Sequence, residues 1–294
     1  MASDCPFHAP AAPSMLLLFR LLSHVHLRVL HGVGAALGWL VFLLSPTYRR
    51  RFVDQARQAG YGFAQVRPAV AHIGRMVGEL PRLWLGPPVA AEFANPECLD
   101  HAYAAGRGVL LLTPHLGCFE VTAQAIAQRH APVHGPLTVL FRPARKPWLA
   151  PLIAASRQRP GLEPVPTTLA GVRQMIKALR QGRAVGLLPD QVPPEGMGAW
   201  APFFGRPAYT MTLAARLAQQ TGCEVRLMWG ERLPAGRGFR VHCRELDTPL
   251  AGTLEEAVAR MNQGMERLIR ECPQQYLWSY ARYKPPRQQA GGGQ

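Results

Sequence analysis

No Cys-x-x-Cys pair occurs in this 294-residue sequence, although it holds six cysteines, Cys5, Cys98, Cys118, Cys223, Cys243 and Cys272. Thiols scattered in this way argue against a zinc ribbon or thioredoxin-type site, supply no disulfide framework and fit a reducing compartment. Lysine is almost missing as well. Only Lys146, Lys177 and Lys284 stand among the 33 basic residues, so the formal charge of +15 is carried by arginine. The planar guanidinium suits phosphate and carboxylate partners, and such an excess points to an acidic macromolecule, an anionic membrane or nucleic acid. A GC-rich coding bias, visible in the Ala, Gly and Pro content, explains the same count without any partner. No aromatic-basic nucleic-acid module accompanies the dispersed arginines, which argues against nucleic acid.

An uninterrupted apolar run of the roughly 20 residues needed to span a bilayer is also lacking. What exists is Gly32–Leu44, preceded by Met15–Leu22 and by a mixed stretch with His24, His26, Arg28 and His31. Extended back through Val29 and Leu30, with Arg28 snorkelling, the run becomes a marginal span or an interfacial helix; a buried core helix is the competing reading. No basic residue precedes Arg20 and no small-x-small site follows Leu44, so a cleaved signal peptide is disfavoured. Arg49, Arg50 and Arg51 follow directly and place the remainder of the chain on the cytoplasmic side. The expected organisation is a flexible stretch 1–14, an anchoring segment 15–48, one domain over 49–287 and a disordered tail 288–294.

At 48% hydrophobic residues the chain can bury a sizeable core. No internal repeat breaks it up. Strand and helix patterns alternate: Val109–Leu112, Leu137–Phe141, Glu163–Pro166 and Ala184–Leu188 read as strands, with helices at Phe119–Arg129, Pro147–Gln158 and Leu169–Arg180. A Pro/Gly-rich loop is expected over Pro189–Pro207, then a helix Met211–Gln220 with Thr210 as N-cap, and paired strands Cys223–Leu233 and Gly238–Leu246. Thr253 and Glu256 form a capping box ahead of an apolar helical stripe ending at Ile269. The pattern predicts an α/β fold, a central mixed sheet flanked by helices, with an apolar helix at the N-terminus.

The stretch Gly108–Glu120, GVLLLTPHLGCFE, carries the clearest chemistry. Pro114 and Gly117 break the strand, so His115 falls in a strand-to-helix turn and Glu120 in the first turn of the helix. Such a bend lets a carboxylate five positions on reach the imidazole, a pairing suited to general-base activation of a weak nucleophile. No matching nucleophilic serine is evident. Cys118 lies between the two, but a small buried thiol is its plainer reading. His115 also reads as a capped turn residue with no chemical role. Three further segments stand out: Arg142 closing a strand, Asp190 and Gln191 opening an irregular loop with Phe203, Phe204 and Gly205 downstream, and QYLWSYARYK at Gln275–Lys284.

In this order, TPHLGCFE, the FRP of Phe141–Pro143, the PDQ of Pro189–Gln191 running into APFFGRPAYT at Ala201–Thr210, and the PQQYLWSYARYK ending resemble the Kdo-dependent lipid A late acyltransferases. The similarity runs from the N-terminal segment to about Lys284. Its most specific part, Phe-Phe-Gly-x-Pro-Ala-x-Thr, separates this family from the broader glycerolipid acyltransferases. Two departures stand out: Ala281 where an arginine is usual, and Pro193 and Pro194 where glycine and aspartate are typical, which bears on the acceptor.

The resemblance implies acyl transfer from an acyl carrier protein thioester to a hydroxyl of a phosphorylated membrane glycolipid, on the cytoplasmic face of the bacterial inner membrane. His115 would take the hydroxyl proton and Glu120 would orient it. Arg142, Asp190, Gln191, Phe203, Phe204, Gly205, Thr210 and Arg282 would bind substrate, and no metal or other cofactor is called for. The basic charge would meet acidic carrier protein and anionic lipid. Two other classes stay open: a sibling acyltransferase acting on a lysophospholipid or another membrane lipid, and a non-enzymatic basic membrane-associated binding protein.

Overall fold

In the computed structural model, which describes residues 12–141, 152, 153, 156 and 159–288, a seven-stranded sheet is covered by helices on both faces. The strands are β1 (Ala91–Phe93), β2 (Val109–Leu112), β3 (Leu137–Phe141), β4 (Leu162–Pro166), β5 (Ala184–Leu187), β8 (Glu224–Arg232) and β9 (Phe239–Glu245), in the order β1-β9-β8-β2-β5-β3-β4. Every neighbouring pair is parallel except β8 with β9. The expected α/β class with a mixed sheet therefore holds. The helix expected over Pro147–Gln158 and the candidate Arg142 fall mostly or wholly outside the described residues.

β2 is wholly apolar because both of its faces are covered. Leu110 and Leu112 pack with Val185 and Leu187 toward α9 (Leu169–Arg180), α10 (Leu213–Thr221) and α11 (Leu254–Glu271). Val109 and Leu111 pack with Ala184 and Leu137 toward α7 (Pro96–Ala104) and α8 (Phe119–His134). Helix ends follow the sequence signals: Thr168 caps α9, and Thr253 and Glu256 close a reciprocal capping box on α11.

The loop expected over Pro189–Pro207 proves to contain structure. β6 (Gly198–Phe203) and β7 (Arg206–Met211) form a separate antiparallel hairpin. Pro202 faces Pro207, a pairing that hides strand propensity in the sequence but is tolerated in an isolated two-stranded ribbon. The connection is Phe204-Gly205, with φ of 48° and 72°, the sign at both positions that a two-residue type I′ turn requires. Thr210 belongs to β7, so the following helix starts later than expected, with Thr212 at its N-cap.

The N-terminal region is a helical layer laid against this core: α1 (Ala12–Ser23), α2 (Leu27–Leu44), α3 (Pro46–Gln58), α4 (Phe63–Val66), α5 (Pro68–Gly78) and α6 (Leu80–Leu85). α2 is apolar and long enough to cross a membrane, yet it is seated along its length. Leu27, Leu30, His31, Gly34, Gly38 and Phe42 form its buried stripe. A Cβ at Gly74 of α5 would overlap the carbonyl oxygen of Gly34, so the two backbones touch. His31 Nε2 lies 2.9 Å from Glu79 Oε2, and Arg232 of β8 grips the same carboxylate through Nη2 at 2.6 Å and Nε at 2.8 Å. Burial alone would raise the Glu79 carboxyl; Arg232 and His31 outweigh it and bring it down to about 2. The opposite stripe of α2, including Val29, Val33, Leu37, Leu40 and Leu44, is exposed, as are Leu17, Leu18 and Leu21 of α1.

Candidate active site

β2 and β5 are parallel neighbours with Leu112 opposite Leu187, and Thr113 N–H extends the ladder to Leu187 O at 3.0 Å. Three residues beyond each partner stand His115 and Asp190, so equal steps from a shared register deliver both side chains to one edge of the sheet. The imidazole Nδ1 lies 2.7 Å from Asp190 Oδ1, and His115 N–H donates to Oδ2 of the same carboxylate at 2.8 Å. On the far side of the ring, Gln191 Nε2 lies 3.0 Å from His115 Nε2.

This geometry corrects one expectation. The carboxylate on the imidazole belongs to Asp190; among the described contacts of His115 none is to Glu120. The chain turns at Gly117, whose φ is +60° and where a Cβ would overlap Gly230 O, before α8 begins. Glu120 is then carried onto the helix flank, beside Phe119, where it lines a cavity. Asp190 is 3% exposed at its side chain and the imidazole 14%, so the carboxylate is sealed while the ring keeps a path outward. Burial alone would raise the Asp190 carboxyl. The charge and hydrogen bonds of His115, with Arg282 contributing, outweigh that and hold it below the usual carboxylate range.

The backbone at the histidine is fixed from three sides. Leu277 N–H donates to His115 O at 3.1 Å, Gly117 N–H to Gln275 O at 3.0 Å, and Cys118 N–H to Gly230 O at 2.7 Å. Cys118 is buried and its sulfur accepts from Val121 N–H at the start of α8. Burial pushes its thiol well up, which suits a structural residue and not a nucleophile.

A cavity of about 90 Å³ lies between α8 and the ends of β2, β3 and β5, with Phe119 in its wall and none of His115, Asp190 and Gln191. Its wall is largely apolar, with Leu111, Ile126, Val139, Leu162 and Leu187, and it carries Thr113 and Glu120 at its polar side. Phe119 belongs to that wall and also meets the His115 ring edge-on at 5.0 Å, which joins the cavity to the histidine.

A family model of bacterial lipid A biosynthesis acyltransferases matches residues 65–285. The chain belongs to this family. Among relatives, the lipid A biosynthesis lauroyltransferase of Escherichia coli (strain K12) is 26% identical over 195 residues, which is 66% of this chain and 61% of that protein. A lipid A biosynthesis acyltransferase of Haemophilus influenzae is 24% identical over 64% of this chain and 57% of its own length. The palmitoleoyltransferase of E. coli K12 is 24% identical over 63% and 59% respectively. The chain thus spans about three fifths of the length of the curated relatives it matches.

The remaining candidate residues of this lipid A acyltransferase family member gather elsewhere. Phe203, Phe204, Thr210 and Arg282 form one buried knot at the β6–β7 hairpin, Gly205 is exposed in its turn, and none of the five lines the cavity. Arg282 is 1% exposed; its Nη1 donates to Tyr209 O at 2.8 Å, its Nη2 to Thr210 Oγ1, and its guanidinium sits 4.9 Å over the Phe203 ring. Phe204 N–H donates to Glu266 of α11 at 2.7 Å. Sequence reasoning named Asp190 and Gln191 as substrate contacts and missed that they hold the histidine; equal offsets from paired parallel strands were the signal available.

Proposed function

We propose that the protein transfers a fatty acyl group from an acyl carrier protein thioester to a hydroxyl of a phosphorylated lipid A precursor, with His115 as general base. The observation that carries this reading is the Asp190–His115–Gln191 alignment, with an apolar cavity on the other side of Phe119. Nδ1–H donated to a sealed carboxylate leaves the lone pair on Nε2, where Gln191 now donates. An acceptor hydroxyl replacing Gln191 at Nε2 gives up its proton there as its oxygen attacks the thioester carbonyl. The tetrahedral oxyanion forms near the first turn of α8, whose amides and dipole favour negative charge, and collapses with loss of the carrier thiolate, which recovers the proton from His115. Asp190 orients the ring and stabilises the imidazolium. Glu120, at the cavity wall, is placed to meet substrate or an arginine that binds it.

The exposed apolar stripe of α1 and α2 is proposed to seat the protein on the cytoplasmic face of an anionic inner membrane. α2 lies flat in one leaflet, because spanning would draw Glu79 and Arg232 toward hydrocarbon with it. Exposed Arg28, Arg50 and Arg51 then meet the headgroups.

The direct test is a cell-free assay of acyl carrier protein thioesters with lipid A precursors and, separately, lysophospholipids, read by mass spectrometry. Acylated lipid A precursor is the expected product. Acylation of lysophospholipid alone would move the assignment to the sibling class, and no transfer with intact salt-sensitive membrane binding would favour a binding protein.

A further inference from the structure

The apolar cavity has a specific origin in the sheet. Leu111 of β2 and Val139 of β3 both stand opposite Gly186 of β5, so the three form one row across adjacent parallel strands, facing α8. Side chains in such a row stand together on one face. Here the middle one is missing. The helix above the gap presents Ala123, another small residue, so the row encloses a slot between Gly186 and α8 with Leu111 and Val139 as its sides.

Nothing in the backbone demands glycine at this position. Gly186 has no left-handed φ, in contrast to Gly182 and Gly196 on either side in sequence. A Cβ added there would meet Val139 Cγ1 at 3.5 Å and Leu137 Cδ1 at 3.9 Å, which is ordinary contact. Glycine in a central strand weakens the strand and packs nothing, and open space beside it marks a site where another group approaches. His115 and Asp190 stand at the exit of the same two strands. Gly186 lies four residues before Asp190, at most about 13 Å at a strand's rise of about 3.3 Å per residue, since the chain turns after Leu187.

We infer that the slot over Gly186 receives the far end of the acyl chain, and that Gly186 sets the longest chain the enzyme accepts. The inference rests on the acyl-transfer reading above. A straight, saturated hydrocarbon fits a gap bounded by two strands and a small helical residue. The slot's apolar rim excludes headgroups and leaves the carboxyl end of the chain toward His115.

The test uses the full chain in detergent, as parent, Gly186→Ala, Gly186→Val and Val139→Ala. Each is given an equimolar series of saturated acyl carrier protein thioesters of graded length, and products are counted by mass spectrometry. Binding of free fatty acids of the same lengths is measured calorimetrically in parallel. Gly186→Val is expected to lose its longest substrates first and move its optimum shorter by about one two-carbon step, with Gly186→Ala intermediate. Val139→Ala, which widens the slot without touching Gly186, is expected to admit longer chains. An unchanged length profile in folded Gly186→Val and in Val139→Ala would overturn the inference, as would a loss uniform over all lengths. If Gly186→Val does not fold, Gly186→Ala and Val139→Ala decide alone by the same criterion. Absence of transfer in the parent would refute the acyl-transfer reading; the binding profiles would still show whether Gly186 limits chain length.

Discussion

Two parts of this molecule look equally distinctive in sequence and do different work. The loops after β2 and β5 bring together His115, Asp190 and Gln191, with the imidazole and Gln191 partly exposed and both Asp190 and Gln191 hydrogen-bonded to the ring between them. The β6–β7 hairpin brings together Phe203, Phe204, Thr210 and Arg282, which are buried and bonded to backbone and to each other. The hairpin is the more specific family mark and the less chemical site. Its demand on sequence comes from packing: a turn with positive φ at Phe204, and an arginine whose buried charge must find acceptors. The first region places the groups proposed to react. The second holds the segment that fixes them, since Tyr280 Oη accepts from Val192 N–H at 2.9 Å and Leu277 N–H binds His115 O.

The contrast breaks most sharply at the histidine. His115→Ala is expected to lower turnover by about 10³ to 10⁴ while the thermal transition and vesicle binding stay as in the parent. Activity within a few-fold of the parent would remove His115 from the mechanism. Asp190→Asn keeps the shape but favours the wrong tautomer, and turnover should fall by about 10², read with the same thioester assay. Glu120→Gln leaves the Nδ1 contact in place and should cost less than either; a loss equal to that of His115→Ala would instead give Glu120 the orienting role.

In the hairpin the expected order of effects reverses. Arg282→Leu should cost about 2 to 3 kcal/mol in denaturant unfolding, with turnover per folded molecule changing far less than in Asp190→Asn. A full-strength fold with abolished turnover would move Arg282 to the reactive region. Acid acts on the first region and on the helical layer at once. Glu79 and Asp190 both have carboxyls held below their ordinary values in the folded state, so their contribution is complete above those values and is lost as pH falls. Stability should be flat down to about pH 5 and decline below it. Glu79→Gln should flatten part of that decline while lowering stability at neutral pH by about 3 kcal/mol, because Arg232 is left buried against a neutral partner.

Much of the fold was legible. β2 and β3 lie where the apolar runs put them, and the caps of α9 and α11 are the residues their spacing indicates. Local signals suffice there because propensity and burial agree. The hairpin was hidden because Pro202 and Pro207 speak against strands and only their mutual pairing permits them. The site was half legible: His115 is marked by its strand-to-helix turn, but its partner is set by the register of β2 against β5, a relation between segments 75 residues apart. The neighbour closer in sequence, Glu120, is the one the eye pairs first. α2 reads as a span because length and composition are local, whereas Gly34 against Gly74 and His31 against Glu79 are not.

The depth of α2 in a bilayer separates the helical layer from a spanning anchor. A fluorescent amino acid at Val29, Leu37 and Leu44, quenched by lipids brominated at different depths, should report three similar shallow positions; a deep centre between shallow ends would mean a crossing helix.

The most direct test of the central claim is the tautomer of His115, read from ¹⁵N–¹H correlations of the full chain labelled at histidine, with His115→Ala for assignment. The proton is expected on Nδ1, shared with Asp190, and Asp190→Asn should disturb it while Glu120→Gln should not. A proton resident on Nε2, or one that responds to Glu120→Gln and ignores Asp190→Asn, would contradict the account.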